Sequence, residues 1–130
     1  MILEELRTLI LTSLDGLIGE YSLSGQTFPA ITFKESFPPS GTLCNGLEIY
    51  VNPCLSLSNI DTLNGLIWQQ KIEIWLKQWD DQQTTIEATA KLVKAFSPVG
   101  IVKLGTRLLP LEEIGNIETQ KITVELKYRG

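Results

Sequence analysis

The chain has 130 residues, of which 43% are hydrophobic and 20% charged, and this composition is typical of one globular domain and not of a disordered segment. Its formal net charge of -4 argues against a dedicated nucleic-acid-binding protein, because such proteins neutralise phosphates with clustered cations. Residues 1–5 lack the cationic start of a secretory signal peptide, and no apolar run reaches the roughly 18 to 20 residues that span a bilayer. We therefore expect a protein that is cytoplasmic when synthesised and has no membrane partner.

The first predicted element is a helix over residues 2–18. Its apolar residues follow the three-and-four spacing that places them on one stripe, namely Leu3, Leu6, Ile10, Leu14 and Leu17. Glu4 and Glu5 lie in the first turn, where they complement the positive end of the helix dipole. Gly16 and Gly19 are candidates for the C-terminal end of this helix. Such a helix needs an apolar surface to pack on, and the strands that follow are predicted to supply it.

Two short strands and two long loops are predicted for the next segment. Residues 31–33 alternate, with Ile31 and Phe33 on one side, and residues 46–51 form a cleaner strand. The inward residues of that second strand are Leu47, Ile49 and Val51. Paired prolines mark residues 34–45 as a loop, because proline is excluded from the middle of a sheet. Residues 54–65, rich in serine and asparagine, are predicted to be a second loop.

All three tryptophans lie in the stretch Leu66–Asp80, which we predict to be a strand over residues 68–79. Its central part alternates strictly and is rich in β-favouring residues. One face is apolar and comprises Trp68, Ile72, Ile74 and Leu76. The other face comprises Lys71, Glu73, Trp75, Lys77 and Trp79. Trp68, Ile72, Trp75 and Trp79 also fit helical spacing, so a helix is the alternative prediction.

A second helix is predicted over residues 80–96, followed by strands over residues 99–109 and 118–128. Thr84 and Glu87 suggest a capping box, and Pro98 follows the end of the helix. The predicted buried stripe of this helix is Ile86, Ala90, Val93 and Phe96. The predicted inward residues of the last strand are Ile122, Val124, Leu126 and Tyr128. The whole chain is then one α+β domain over residues 1–130, a mostly antiparallel four- to five-stranded sheet with two helices packed on one face.

Residues that common catalytic and metal sites need are missing from the sequence. The chain has no histidine, the usual general base and the most common metal ligand, and no glycine-rich phosphate loop. Cys44 and Cys54 alone cannot form a structural zinc site, and we expect thiols and not a disulfide. Asp80-Asp81 is more simply helix-capping material, and Glu112-Glu113 part of an exposed hairpin loop. We predict no enzyme activity, no metal and no cofactor.

Trp75 and Trp79 are predicted to lie on the sheet face that also carries charges. Burying one tryptophan removes roughly 150 to 250 Å² from water, a gross stabilisation of about 4 to 6 kcal/mol, so an uncovered pair forgoes much stabilisation. Two alternatives follow. Either the first helix or a loop of the same chain covers both side chains, or a neighbouring subunit does, because tryptophan is enriched at interface hot spots.

A family resemblance rests on the order of elements along nearly the whole chain. A leading amphipathic helix, the segment Phe28–Ile31 and strands at residues 46–51 and 71–76 come first. Next come a helix with Ala88, Ala90 and Phe96, and the closing segments Arg107–Pro110 and Gln120–Tyr128. In this order and size of elements the chain resembles the tail terminator (tail completion) proteins of long-tailed bacteriophages.

The resemblance implies a non-enzymatic virion protein that forms a homohexameric ring, caps the tail tube, stops its polymerisation and docks to the neck or head connector. Its implied partners are copies of itself, the tail tube protein and the neck or connector protein, with DNA passing through the lumen without specific binding. The implied location is the virion tail or neck, and the host cytoplasm during assembly. The alternative is another small head–tail connector, neck or tail-assembly adaptor of a phage or phage-tail-like particle.

The candidate contact surfaces of such a ring are the sheet edges, the loops at residues 34–45 and 52–66, and the hairpin at residues 109–117. Our candidate subunit or partner interface residues are Trp75, Trp79, Phe37, Glu112 and Glu113. A ring requires contacts between two different surfaces of the chain, related by a rotation that closes.

Overall fold

A computed structural model describes residues 3–33, 43–53, 57–62, 65–79, 84–105 and 118–129. In chain order the elements are α1 (Leu3–Ser13), β1 (Glu20–Leu23), β2 (Gln26–Pro29), β3 (Ile31–Phe33), β4 (Leu43–Asn45), β5 (Leu47–Asn52), β6 (Leu57–Thr62), β7 (Gly65–Gln78), α2 (Thr85–Phe96), β8 (Gly100–Leu104) and β9 (Glu118–Arg129). The mostly antiparallel pairing of these strands, together with two helices, confirms the predicted α+β class.

The main sheet is built around β7, its longest strand. β7 pairs with β9 along nearly its whole length, from Ile67 opposite Arg129 to Gln78 opposite Glu118. On its other side, β7 pairs with β6 through residues 65–70 and with β5 through residues 73–78. The strand order is β3-β5-β7-β9-β8, with β6 beside the first half of β7. The strand predicted for residues 68–79 is confirmed, and the helical alternative is wrong.

The core lies on one face of the main sheet, beneath both helices. The period-two alternation of β5, β7 and β9 places these buried residues on that face: Leu47, Ile49, Val51, Ile72, Ile74, Leu76, Ile122, Val124 and Leu126. Leu6, Ile10 and Leu14 of α1 join the same cluster. α2 contributes Ala88, Leu92 and Phe96. Both helices therefore pack on one face of the sheet, as predicted.

Helix α1 ends earlier than the predicted residue 18. The helix stops at Ser13, and residues 14–17 form a turn. Gly16 has a φ of +82°, a left-handed conformation that glycine adopts without a steric penalty, so it acts as the predicted stop. Ser13 Oγ donates a hydrogen bond to the Leu9 carbonyl oxygen at 2.6 Å, the bond to the residue four positions earlier that serine commonly makes in a helix.

A second, three-stranded sheet, which no sequence pattern predicted, extends from the β3–β5 side of the main sheet. Its order is β2-β1-β4, and both of its pairings are antiparallel. β2 continues through Ala30 into β3, and β4 continues through Gly46 into β5, so β1 lies between two segments that also enter the main sheet. Gly46, with a φ of +90°, marks the point where the chain passes between the sheets. Ser24 and Gly25, both with positive φ, join β1 to β2 as in a type I′ hairpin.

The loop predicted for residues 54–65 is wrong, because this segment contains β6. Ser58, Asn59 and Asp61 have low β-propensity, but antiparallel pairing with the long strand β7 overrides that preference. Within the described residues, the main sheet has the five-strand order β3-β5-β7-β9-β8, which agrees with the predicted four to five strands, and β6 adds a further partner beside β7. Within the loop predicted at residues 34–45, residues 43–45 form β4, and residues 34–42 lie outside the described residues.

Helix α2 packs on the sheet through a different stripe from the predicted one. Its buried residues are Thr85, Ala88, Leu92 and Phe96. Ile86 is instead 83% exposed and Ala90 is also exposed, so those two predictions are wrong. Both stripes have helical spacing and share Phe96, and the observed one also buries the larger side chain of Leu92. Contact with the sheet thus decides the rotation of the helix.

The predicted capping box at the start of α2 is not formed. Thr84 is the N-cap residue, but its φ of -85° and ψ of 0° are helical values and its side chain makes no capping hydrogen bond. The buried Gln78 side chain at the end of β7 takes over this task. Its Oε1 accepts hydrogen bonds from Thr84 N at 3.1 Å and from Thr84 Oγ1 at 2.8 Å. The end of β7 therefore fixes the start of α2.

Candidate functional site

The face of the main sheet opposite the helices carries Trp75 and is called the open face here. It comprises Thr32, Glu48, Tyr50, Lys71, Glu73, Trp75, Lys77, Ile101, Lys103, Lys121, Thr123 and Glu125, with Trp79 directly after β7. The buried residues of both helices belong to the core on the other face, so neither helix covers this one. Trp75 and Trp79 are both partly exposed. The alternative in which the first helix covers the tryptophans is therefore wrong.

Trp75 lies in a fixed arrangement with Glu73 and Lys121. Its Nε1 donates a hydrogen bond to Glu73 Oε1 at 2.8 Å, and Lys121 Nζ forms an ion pair with Glu73 Oε2 at 2.6 Å. The same ammonium lies 5.4 Å from the centroid of the Trp75 ring, within the range of a cation–π interaction. These three contacts hold the indole in one orientation on the sheet.

A second ion-pair cluster lies toward the β8 edge of the open face. Glu125 is mostly buried; it accepts a hydrogen bond from Lys103 Nζ at 3.2 Å and forms a longer ion pair with Lys71 Nζ at 3.9 Å. The lysines are more exposed, with side-chain exposures of 45% for Lys71 and 63% for Lys103. Such partly exposed pairs contribute little stability, about 0 to 1 kcal/mol each, so their main effect is to balance charge on the face.

Trp79 is held by a hydrogen-bond chain that joins the two sheets. Its Nε1 donates to Glu48 Oε1 at 2.9 Å, and Glu48 Oε2 accepts a short hydrogen bond from the Tyr21 hydroxyl of β1. Thr32 Oγ1 lies 2.7 Å from the same hydroxyl. Because Tyr21 uses its only proton on the Glu48 carboxylate, Thr32 donates to Tyr21. The chain runs from Thr32 through Tyr21 to Glu48, where Trp79 also donates.

Tyr21 is 3% exposed, and its hydroxyl lies at the centre of this hydrogen-bond chain. Burial raises the pKa of Tyr21 far above its usual value of 10.0, and the hydrogen bond to Glu48 raises the pKa further. The tyrosinate form would lie in a desolvated site beside a carboxylate. The folded state therefore holds the Tyr21 proton more tightly than the unfolded state does.

Replacing Tyr21 by phenylalanine is expected to lower the free energy of unfolding by about 1.5 to 3 kcal/mol at pH 7, because a buried hydrogen bond to a charged group is lost. The raised folded-state pKa stabilises the protein fully below pH 10 and progressively less as the pH rises beyond it. The gap in stability between wild type and Tyr21→Phe should thus narrow by about 1.4 kcal/mol per pH unit above pH 10. Urea unfolding of both proteins between pH 7 and pH 11 measures this difference in the free energy of unfolding.

All other titratable groups are common to both proteins, so their contributions to stability cancel in the difference. A gap that stays constant from pH 7 to pH 11 would show that Tyr21 is not held protonated by the fold.

The sequence-predicted site residues are only partly brought together. Trp75 and Trp79 lie on one face, as the alternation predicted, and each indole N–H has a carboxylate partner. Phe37, Glu112 and Glu113 lie outside the described residues, as do Asp80, Asp81 and Cys54, so those predictions are not tested. Cys44 lies half-buried in β4.

Three further residues, which were not among the predicted site residues, hold the tryptophans in place: Glu48, Glu73 and Tyr21. Alternation alone places Glu73 beside Trp75 on the same face, so that pair had a signal in the sequence. Glu48 and Tyr21 had none, because their contact joins two sheets across 27 residues of chain.

Across the described residues, no group of three or more His, Cys, Asp or Glu side chains is placed to hold a metal ion. Within that same part of the chain, no helix is long and apolar enough to cross a membrane. No protein-family model matches the sequence, and a search of curated proteins gives no match either.

Proposed function

We propose that this protein is a structural subunit of a phage tail, similar to the tail terminator proteins, that forms a ring, caps the tail tube, stops its polymerisation and docks to the neck or head connector. The observation that carries this proposal is the open face. It leaves Trp75 and Trp79 partly exposed, although both indole N–H groups already have partners within the chain. Such a surface is suited to a protein partner.

The open face meets the main energetic requirements of a docking surface. Covering an indole whose N–H is already bonded leaves no donor unsatisfied, so the partner gains the apolar contact without a polar desolvation cost at that group. The charges on the open face are nearly balanced, because it carries four lysines and three glutamates: Lys71, Lys77, Lys103, Lys121, Glu48, Glu73 and Glu125. Tryptophan on such a surface is the residue type most often found at binding hot spots.

The same contacts hold the carboxylates of this face in fixed positions. Each of its three carboxylates already has two partners: Tyr21 and Trp79 at Glu48, Trp75 and Lys121 at Glu73, and Lys71 and Lys103 at Glu125. These contacts fix the orientation of the carboxylates and keep the surface in one arrangement.

The proposal is tested by polymerising the cognate tail tube protein with and without this protein and measuring tube lengths in negative-stain images. The wild-type protein is expected to shorten the tubes and to lie at one end of each. Trp75→Ala is expected to stay folded but to bind the tube end at least about thirtyfold more weakly, corresponding to about 2 kcal/mol for a hot-spot tryptophan. Trp75→Phe, which keeps an aromatic ring, serves as the matched control and should retain part of the activity.

Circular dichroism and thermal unfolding establish that each variant is folded before it enters the assay. Unchanged tube lengths with the wild-type protein would contradict the capping function. Binding along the sides of the tubes, or to the connector alone, would instead favour an adaptor at another place in the particle.

A further inference from the structure

The outer edge of the main sheet, formed by β8, is exposed and partly apolar. β8 pairs with β9 on one side, and no described residue pairs with its other side. Ile101 is 49% exposed and Leu104 is 58% exposed. Lys103 lies between them, with 63% of its side chain exposed. An uncovered edge strand with apolar side chains is a site where another chain can add.

A groove lies between the end of α1 and the hairpin strands β1 and β2. It has a volume of about 320 Å³, and its apolar lining includes Leu11, Ile18, Phe28 and Pro29. Asp15 and Glu20 line it as well, and both residues are exposed. Its described lining contains no lysine or arginine, so the groove combines an apolar floor with negative charge.

The two surfaces lie at opposite edges of the main sheet. Pro29 continues through Ala30 into β3, the first strand of the order β3-β5-β7-β9-β8, whereas β8 is the last. Four strand spacings of about 4.8 Å separate these edges by roughly 19 Å. A contact between two different surfaces of the same chain is a head-to-tail contact, the type from which rings are built.

We propose that β8 of one protomer docks beside the groove of the next, with Ile101 on the apolar floor and Lys103 against Asp15 and Glu20. Ile101 and Lys103 lie two residues apart on β8 and therefore project from the same face. Lys103 can turn outward without leaving Glu125 unpaired, because Glu125 still has Lys71 as an ion-pair partner at 3.9 Å. This assignment rests on the proposed ring and names its two contact surfaces.

A charge-swap experiment tests the contact, with sedimentation velocity over a series of protein concentrations at low salt as the readout. Lys103→Glu places three carboxylates together and is expected to weaken self-association at least about tenfold. The double variant Asp15→Lys with Glu20→Lys places three cations together and should weaken it to a similar degree. The triple variant that carries all three changes restores opposite charges and is expected to recover self-association.

Lys94→Glu is the matched control, since it makes the same change of charge at an exposed position of α2. It should leave self-association unchanged. An equimolar mixture of Lys103→Glu with the double variant should also assemble, because alternating protomers then present opposite charges at every contact.

The assignment is overturned if Lys103→Glu associates like wild type, if the triple variant does not recover, or if wild type stays monomeric to its highest soluble concentration. Tube capping is a separate readout. Wild-type protein that caps tubes while Lys103→Glu still associates normally would refute this contact and leave the proposed function standing. If the charge-swap variants lose and recover self-association as expected but the wild-type protein does not cap tubes, the proposed function is refuted and the contact is supported.

Discussion

Replacing Gly19 by alanine is expected to lower the free energy of unfolding by about 3 kcal/mol or more, because backbone atoms would have to move. A Cβ at this position would lie 2.2 Å from Asn45 O and 2.7 Å from Leu47 N. Gly19 also joins the two sheets: its N–H donates to Leu47 O at 2.7 Å, and its carbonyl oxygen accepts from Ala30 N at 2.9 Å. The added methyl group would separate the strands at the point where they diverge.

Gly16→Ala is the matched control for this prediction. Gly16 lies three residues away, and a Cβ there would meet no atom within 4 Å, although its φ is +82°. Its replacement should therefore cost only the penalty for a left-handed alanine, about 1 to 2 kcal/mol. Urea unfolding of both variants gives the comparison, and equal costs would show that the strands near Gly19 can separate to accommodate a side chain.

Replacing Leu92 by alanine is expected to cost about 2 to 5 kcal/mol, since it opens a cavity between α2 and the sheet. Leu92 is fully buried in the core cluster with Phe96 and Leu126. Ile86→Ala on the same helix should change stability by no more than about 0.5 kcal/mol, because Ile86 is 83% exposed. Thermal or urea unfolding of the two single variants measures the difference.

This pair of variants tests the rotation of α2 directly. If α2 packed through the stripe predicted from sequence, Ile86→Ala would lower the free energy of unfolding strongly and Leu92→Ala would hardly change it. Isomeric side chains on one helix make the comparison insensitive to side-chain volume, so a larger loss for Ile86→Ala would contradict the packing described above.

The tryptophan surface shows how far the sequence could go toward a candidate site. Strict alternation correctly placed Trp75 and Trp79 on the face opposite Ile72 and Ile74, because side chains of a strand point to alternate faces. The alternation did not reveal that Glu48 and Tyr21 hold Trp79. That contact brings β1, β5 and the end of β7 together, and it depends on the small sheet.

The surfaces proposed for assembly were even less accessible from sequence. Ile101 and Leu104 read as ordinary strand residues, and only the position of β8 at the end of the sheet leaves them exposed. The groove collects residues of α1, β1 and β2, and its shape follows from the turn at Gly16 and the Ser24-Gly25 hairpin. Strand order and turns decide both surfaces.

Local sequence patterns were sufficient to predict the α+β class, the sheet face that bears Trp75, and the strands β5, β7 and β9 with the inward residues whose burial the structure describes. These features depend on local periodicity, which each strand carries in its own residues. Contacts between distant parts of the chain were needed to establish β6, the small sheet and the stripe on which α2 packs. In each of these cases the local signal was weak or had two solutions, as for Ile86 against Leu92, and contact with a distant strand selected one of them.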